Sequence, residues 1–129
     1  MKELFQLFLV ATYLLTACND KHENKVRDFI PGTYVKEINQ EFATGMDTLI
    51  IETLDEAASS FTIVRRSGYQ QMIDGRKLTP KNEVHKWTAL FDAETNQLKE
   101  QNKGRVFTFS PEQNLLTMGS SEYRKIKSR

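Results

Sequence analysis

Apolar and polar residues alternate with a period of two along most of the chain after Phe29. In the segment that begins at Phe61, for example, Phe61 and Ile63 fall on one face and Thr62 falls on the other. Successive side chains of a β-strand point to opposite faces, whereas those of a helix repeat every 3.6 residues. The pattern therefore predicts strands through the body of the chain.

Turn residues divide this region into eight or nine short predicted strands. Pro31-Gly32 opens the region, and Asp74-Gly75 is a typical turn dipeptide within it. The predicted strands are residues 33–38, 47–54, 61–66, 69–73, 84–91, 97–100, 105–109, 115–118 and 122–126. Short strands with short connections indicate an all-β, antiparallel meander. Because closure removes exposed strand edges, we predict a single domain that forms a small barrel or a sandwich.

The N-terminal segment is different, because Leu4 to Ala17 forms an uncharged and mostly apolar run. A helix that spans a membrane needs roughly 20 apolar residues, so this shorter run is typical of a secretory signal peptide. It ends in Leu15-Thr16-Ala17-Cys18. This sequence resembles the bacterial lipobox, in which Leu, a small residue and Ala or Gly precede an obligatory Cys. The resemblance implies cleavage after Ala17 and attachment of lipid to Cys18.

Cys18 is the only cysteine of the chain, so an internal disulfide is excluded. Lipidation gives this lone thiol a role; the alternative is a buried cysteine in an N-terminal core helix, but the residues that follow are strongly polar. Two or more acyl chains, each contributing about 0.8 kcal/mol per buried CH₂, give stable anchoring. We predict a signal peptide at 1–17, a lipidated tether at 18–28 and a β domain at 29–129. The predicted location is a bacterial cell-envelope membrane, either inner or outer.

The charge balance restricts the choice of partners. The chain has 18 Lys and Arg residues against 17 Asp and Glu residues, a net charge of +1. Nucleic-acid binding depends on a clustered excess of basic residues, so nucleic acid is not expected as a partner. Arg65, Arg66, Arg76 and Lys77 nevertheless form a candidate basic patch for anionic lipid, an envelope polymer or an acidic protein. A solvated face balanced by acids of neighbouring strands is the simpler interpretation.

Titratable and nucleophilic residues do not form a pattern associated with a reaction. The two histidines, His22 and His85, have no second ligand at the spacing of a metal site. The serine pairs at 59–60 and 120–121 lie in predicted loops and lack the Gly-x-Ser-x-Gly elbow of hydrolases. We therefore predict no metal, no cofactor and no catalytic residue, and the chain is not expected to be an enzyme.

Aromatic residues suggest a different kind of site. Trp87, Phe91 and Tyr34 are candidate lining residues of a cavity for a small apolar ligand. A domain of this size also needs large aromatic side chains to fill its core. The sequence leaves both interpretations open.

Two resemblances to known groups extend this picture. The first is to small lipocalin-like barrels, which the chain resembles at the domain start, Gly32-Thr33-Tyr34, and in the closing segment, residues 123–126. A second group, small lipoproteins carried by bacterial conjugative transposons, is similar at Asp28 to Val35, Glu41-Phe42, Asp47-Thr48-Leu49, Arg65-Arg66, Tyr69 and Asp74-Gly75. The second resemblance implies an envelope lipoprotein with a β fold and a part in DNA transfer. It implies no catalytic residue.

The expected function is therefore that of a non-enzymatic, lipid-anchored envelope lipoprotein. Its β domain would be presented to an unidentified envelope protein, with conjugative transfer as one setting. Two alternatives stay open: a lipocalin-like carrier of a small apolar ligand, and a lipid-anchored inhibitor of a cell-wall-degrading enzyme. A carrier requires a continuous apolar cavity, whereas a presented domain requires a filled core with an exposed patch. An inhibitor requires a protruding loop, and Arg76 to Asn82 is the best segment for such a loop.

Overall fold

The computed structural model describes residues 20–128, with side chains from Lys25 onward. Within this range the chain forms one helix and nine strands. The helix, α1, spans Asp20–Phe29, and the strands are β1 Gly32–Gln40, β2 Ala43–Asp55, β3 Ser60–Ile73, β4 Arg76–Lys77, β5 Lys81–Asp92, β6 Gln97–Glu100, β7 Val106–Ser110, β8 Leu115–Met118 and β9 Ser121–Ser128. The predicted signal peptide and Cys18 lie outside the described residues.

Eight of these strands close into an antiparallel barrel. Neighbouring strands follow the order β2-β1-β9-β8-β7-β6-β5-β3, and the pairing of β2 with β3 completes the ring. The two-residue strand β4 pairs with the end of β3. The prediction of an all-β antiparallel meander is confirmed, and the structure selects the barrel over the sandwich. The architecture is that of a lipocalin-like barrel.

The barrel interior is filled around its middle and towards the end where α1 lies. The side chains there alternate along each strand with outward-facing ones, as the period-two pattern predicts. The largest fully buried side chains of the barrel strands are Tyr34, Leu49, Ile51, Ile63, Leu98, Phe107, Leu116 and Tyr123. Full burial of one large apolar side chain contributes roughly 1.5–3 kcal/mol, so this cluster is the main source of stability.

Helix α1 occupies most of the segment that we predicted as a lipidated tether, residues 18–28. Val26 and Ile30 are buried in the core, and the ring of Phe29 packs edge-on against Tyr34 and Phe109, at centroid distances of 5.9 and 6.2 Å. The packing of Val26 thus joins the end of the predicted tether to the core of the β domain. Three apolar residues at helical spacing are too few to identify a helix, because most helical stability comes from tertiary packing.

Two barrel side chains hold the C-terminal end of α1. The Tyr34 hydroxyl lies 2.9 Å from the Phe29 carbonyl oxygen and 2.8 Å from that of Ile30, and it donates to this pair of acceptors. Burial raises the pKa of Tyr34, which keeps this donor protonated. Lys125 Nζ also donates to the Phe29 carbonyl and lies 4.1 Å from the centroid of the Phe29 ring. A cation at this position is favourable because the carbonyl end of a helix is partially negative.

Replacing Tyr34 by Phe tests this attachment of the helix to the barrel. The variant keeps the ring and removes the hydroxyl donor, which leaves buried carbonyl oxygens without that partner. We expect the free energy of unfolding, measured by urea denaturation, to fall by about 1–3 kcal/mol. Tyr69→Phe is the matched control, because the Tyr69 hydroxyl makes only an exposed contact of 3.4 Å with Glu83. Equal losses for the two variants would contradict the proposed role of Tyr34.

Part of the sheet projects beyond the barrel at the end opposite α1. Strand β9 pairs with β1 only over residues 32–35, and β6 pairs with β5 only over residues 89–92. Beyond these paired regions, β1, β2, β3 and β5 continue and pair with one another. Their continuation is the arm, which comprises residues 36–47 and 66–84. The arm consists of two hairpins side by side, and no strand within residues 20–128 pairs with the outer edge of β1 or of β5 in the arm.

Candidate functional site

The mouth of the barrel and the inner face of the arm enclose an open cavity of about 550 Å³, the mouth cavity. Its walls carry mostly polar side chains from the inward-facing positions of β2, β3 and β5, among them Asp47, Arg65, Ser67 and Glu83. All five residues of Lys36–Gln40 also line it. A cavity that contacts consecutive residues of a strand runs along the edge of that strand, because alternate side chains point to opposite faces.

Asp47 lies at the floor of the mouth cavity and is only 4% exposed. Arg65 donates to both carboxylate oxygens, from Nε at 3.1 Å and from Nη2 at 2.7 Å. The hydroxyls of Ser67 and Tyr123 donate to the same carboxylate at 3.0 and 2.7 Å. Burial by itself raises the pKa of Asp47, but the hydrogen bonds from Arg65, Tyr123 and Ser67 outweigh burial and hold this pKa below its ordinary value. Asp47 is therefore ionised at neutral pH and links β2, β3 and β9.

The sequence analysis did not identify this buried ion pair, although a signal for it was present. Asp47 alternates in phase with Leu49 and Ile51, which are core residues of β2. Arg65 alternates in the same way with Ile63 on β3. Opposite charges in phase with the apolar positions of two successive strands indicate an inward-facing pair.

The predicted basic patch does not form one surface. Arg65 points into the barrel, while Arg66 is exposed on the outer wall, since consecutive residues of a strand face opposite sides. Arg76 and Lys77 form β4 near the tip of the arm. The structure therefore separates the four residues. Arg65 is a partly buried member of an ion pair, Arg66 lies on the outer wall, and Arg76 and Lys77 lie near the tip.

The three aromatic residues predicted to line a cavity are also separated. Tyr34 is fully buried, and Phe91 is half-buried against the core. Trp87 instead lines a cavity of about 440 Å³ on the side of the barrel. The guanidinium carbon of Arg105 lies 4.5 Å from the centroid of the Trp87 ring, and Arg105 Nη1 is 3.4 Å from a carboxylate oxygen of Glu100. The three aromatic side chains therefore do not line one apolar cavity, contrary to the prediction.

His85 lies on β5 between Trp87 and the arm. Its ring stacks on Trp87 with a centroid distance of 6.4 Å and an interplanar angle of 15°. Its Nε2 is 3.7 Å from a carboxylate oxygen of Glu83. Across residues 25–128, whose side chains the structure describes, no three His, Cys, Asp or Glu side chains are grouped so as to hold a metal ion.

Large apolar side chains are exposed on the arm. Phe42 is 63% exposed, Val84 is 58% exposed and Ile73 is 53% exposed. The carbonyl oxygen of Phe42 accepts a hydrogen bond of 2.7 Å from the Met72 amide, which connects the tips of the two hairpins. Exposed apolar groups gathered at one end of a domain are typical of an interaction surface.

Comparison of the chain with protein-family models, with curated proteins and with solved structures found no match. The part of the chain that the structure describes contains no helix long and apolar enough to cross a membrane.

Proposed function

We propose that the protein is a non-enzymatic lipoprotein of the bacterial cell envelope, anchored by lipid on Cys18, that presents its arm to a protein partner. The observation that carries the proposal is the arm itself, which combines free strand edges with the exposed apolar side chains of Phe42, Ile73 and Val84. A free edge pairs readily with a strand of another chain. Burial of apolar groups beside that edge would add to the affinity.

The position of α1 supports this arrangement. The helix begins at Asp20, two residues after Cys18, and its C-terminal end packs against the barrel opposite the arm. A lipid on Cys18 would therefore hold the helix end of the barrel towards the membrane. The arm would then point away from the bilayer, where an envelope protein can reach it.

The charges of the mouth cavity favour a binding role over catalysis. A general acid or base needs a titratable group that can reach a substrate proton. The carboxylate of Asp47 accepts hydrogen bonds from Arg65, Ser67 and Tyr123, so its oxygens are already occupied. Glu83 contacts Tyr69 and His85, and its side chain is exposed to water.

The two alternative functions have less support. A carrier of an apolar ligand needs a continuous apolar cavity, whereas the mouth cavity has Asp47, Arg65 and Glu83 in its wall. The segment expected to form an inhibitory loop, residues 76–82, is exposed but lies in the arm, as β4, a connection and the start of β5. An inhibitor acting through it would be one kind of protein partner. The resemblance to lipoproteins of conjugative transposons favours a conjugation apparatus as the setting.

Lipid attachment is tested by growing cells that produce wild type or Cys18→Ser with radiolabelled palmitate. We expect wild type to be labelled, processed and recovered with membranes, and the variant to be unlabelled and unprocessed. Unlabelled wild type would overturn the anchor and the envelope location that depends on it.

Presentation of the arm is tested by placing a photoreactive amino acid at Phe42 in cells of the native host. We expect irradiation to link this position to one envelope protein, because Phe42 lies at the exposed tip. Thr108 is the matched control, since it is an exposed outer-wall residue of β7 at a distance from the arm. A product of the same size and yield from Thr108 would contradict a specific role for the arm.

A further inference from the structure

The free edge of β1 borders the mouth cavity, and this combination specifies how a partner is held. We propose that an extended peptide segment of the partner adds to this edge as a new strand, with alternate side chains entering the mouth cavity. The inference rests on the proposed function and deepens it. Its first support is that β9 stops pairing with β1 at Val35, while β1 continues to Gln40 with β2 alone beside it.

The register of the first hairpin shows which backbone groups are free. Strands β1 and β2 are joined by a two-residue turn, with Gln40 opposite Ala43. The pair that closes such a turn is hydrogen-bonded, and hydrogen-bonded pairs alternate with non-bonded ones along an antiparallel ladder. The backbone N–H and C=O groups of Glu37 and Asn39 therefore point away from β2, towards the position that an added strand would take.

The mouth cavity provides space for side chains of that strand. A strand rises about 3.3 Å per residue, so the free edge from Lys36 to Gln40 matches a segment of about five residues. A cavity of about 550 Å³ lies directly beside these residues. The other free edge, on β5, contributes only Glu83 to the wall of this cavity.

The charges near the β1 edge indicate the chemistry of the peptide. Lys36 is the inward-facing cation next to this edge, and its Nζ donates to Ser121 Oγ at 2.9 Å. Lys36 makes no ion pair with any of the described side chains. Asp47 is paired with Arg65, and the other two carboxylates of the cavity wall belong to Glu37, on the outward face of β1, and to Glu83, on β5. We therefore expect the residue of the peptide that faces Lys36 to be acidic.

The test uses the full-length protein in detergent and a phage-displayed library of linear peptides. We expect selection to enrich peptides with an acidic residue. These peptides should bind Asn39→Pro about tenfold more weakly than wild type, because proline removes the edge N–H. Asn39→Ala keeps that N–H and should bind as wild type does. Proline is tolerated where the N–H of an edge strand faces outward, and a circular dichroism melt checks the fold.

Lys36→Glu gives a second, independent measurement. It should weaken binding of the acidic peptides about tenfold or more and favour peptides with a basic residue instead. Enriched peptides that bind wild type, Asn39→Pro and Lys36→Glu equally would overturn the inference, as would the absence of any enriched peptide. Self-association of wild type that Asn39→Pro abolishes would also overturn it, because a second copy would then occupy the edge.

The outcomes separate this inference from the proposed function. Failed selection with intact palmitate labelling and a specific crosslink from Phe42 would overturn strand addition and leave the proposed function standing. The converse result is wild type that fails to incorporate palmitate while the selected peptides still bind Asn39→Pro more weakly than wild type. That pair of results would overturn the anchor and leave strand addition standing.

Discussion

Replacing Gly45 by Ala is expected to lower the free energy of unfolding by about 3 kcal/mol or more, because the arm has no space for a side chain there. A Cβ atom at Gly45 would overlap the carbonyl oxygen of Gly68 and lie 2.6 Å from the Cα atom of Tyr69. Both obstacles are backbone atoms of the neighbouring strand β3. They can move away only if the β2–β3 pairing within the arm is disturbed.

Gly68→Ala is the matched control for this prediction. It lies one register position from Gly45 on the partner strand, but a Cβ there would meet only Asn82 Oδ1, at 3.1 Å. The end of a side chain can rotate away, so we expect a loss below about 1 kcal/mol. Urea denaturation followed by the fluorescence of Trp87, the single tryptophan, measures both variants. Similar losses would show that the two strands do not approach as closely as described.

Replacing Asp47 by Asn is expected to produce the second large effect, a loss of about 2–4 kcal/mol at neutral pH. The variant keeps the size of the side chain but removes the negative charge that Arg65 contacts through Nε and Nη2. Arg65 would keep its charge in a partly buried position without its partner. The hydroxyls of Ser67 and Tyr123 would also lose a charged acceptor.

The effect of Asp47→Asn should depend on pH in a defined direction. The pKa of Asp47 is lower in the folded chain than its ordinary value, through hydrogen bonds that outweigh burial. The unfolded chain therefore binds this proton more readily, and the carboxylate stabilises the fold fully above the unfolded pKa of about 3.9. This stabilisation is lost as the pH falls through the folded pKa. The difference between wild type and Asp47→Asn should be constant between pH 5 and 7 and should decrease below about pH 4.

An exposed ion pair provides the control for Asp47. Lys99 Nζ lies 3.0 Å from Asp92, but both side chains are accessible to water. Water screens such a pair, so Asp92→Asn should shift the urea midpoint much less than Asp47→Asn does. Equal shifts would mean that Asp47 contributes no more than a surface pair.

The helix and the ion pair show where prediction from the sequence reached its limit. The strands followed from alternation, because the period of two is a local property of each segment. Helix α1 was missed, since Val26, Phe29 and Ile30 become a core face only when the barrel end is present to receive them. The sequence shows that Asp47 and Arg65 are charged, but the contact between them depends on the register of β2 against β3.

The sequence by itself determined the all-β antiparallel meander and the prediction of a signal peptide with a lipid-accepting cysteine. These features depend on residues close together in the chain. The tertiary structure decided that the meander closes as a barrel, that Arg65 points inward while Arg66 points outward, and that β1 and β5 extend past their partners to form the arm. Such features depend on pairing between strands that are distant in sequence, and closure of the ring determines that pairing only when all the strands have assembled.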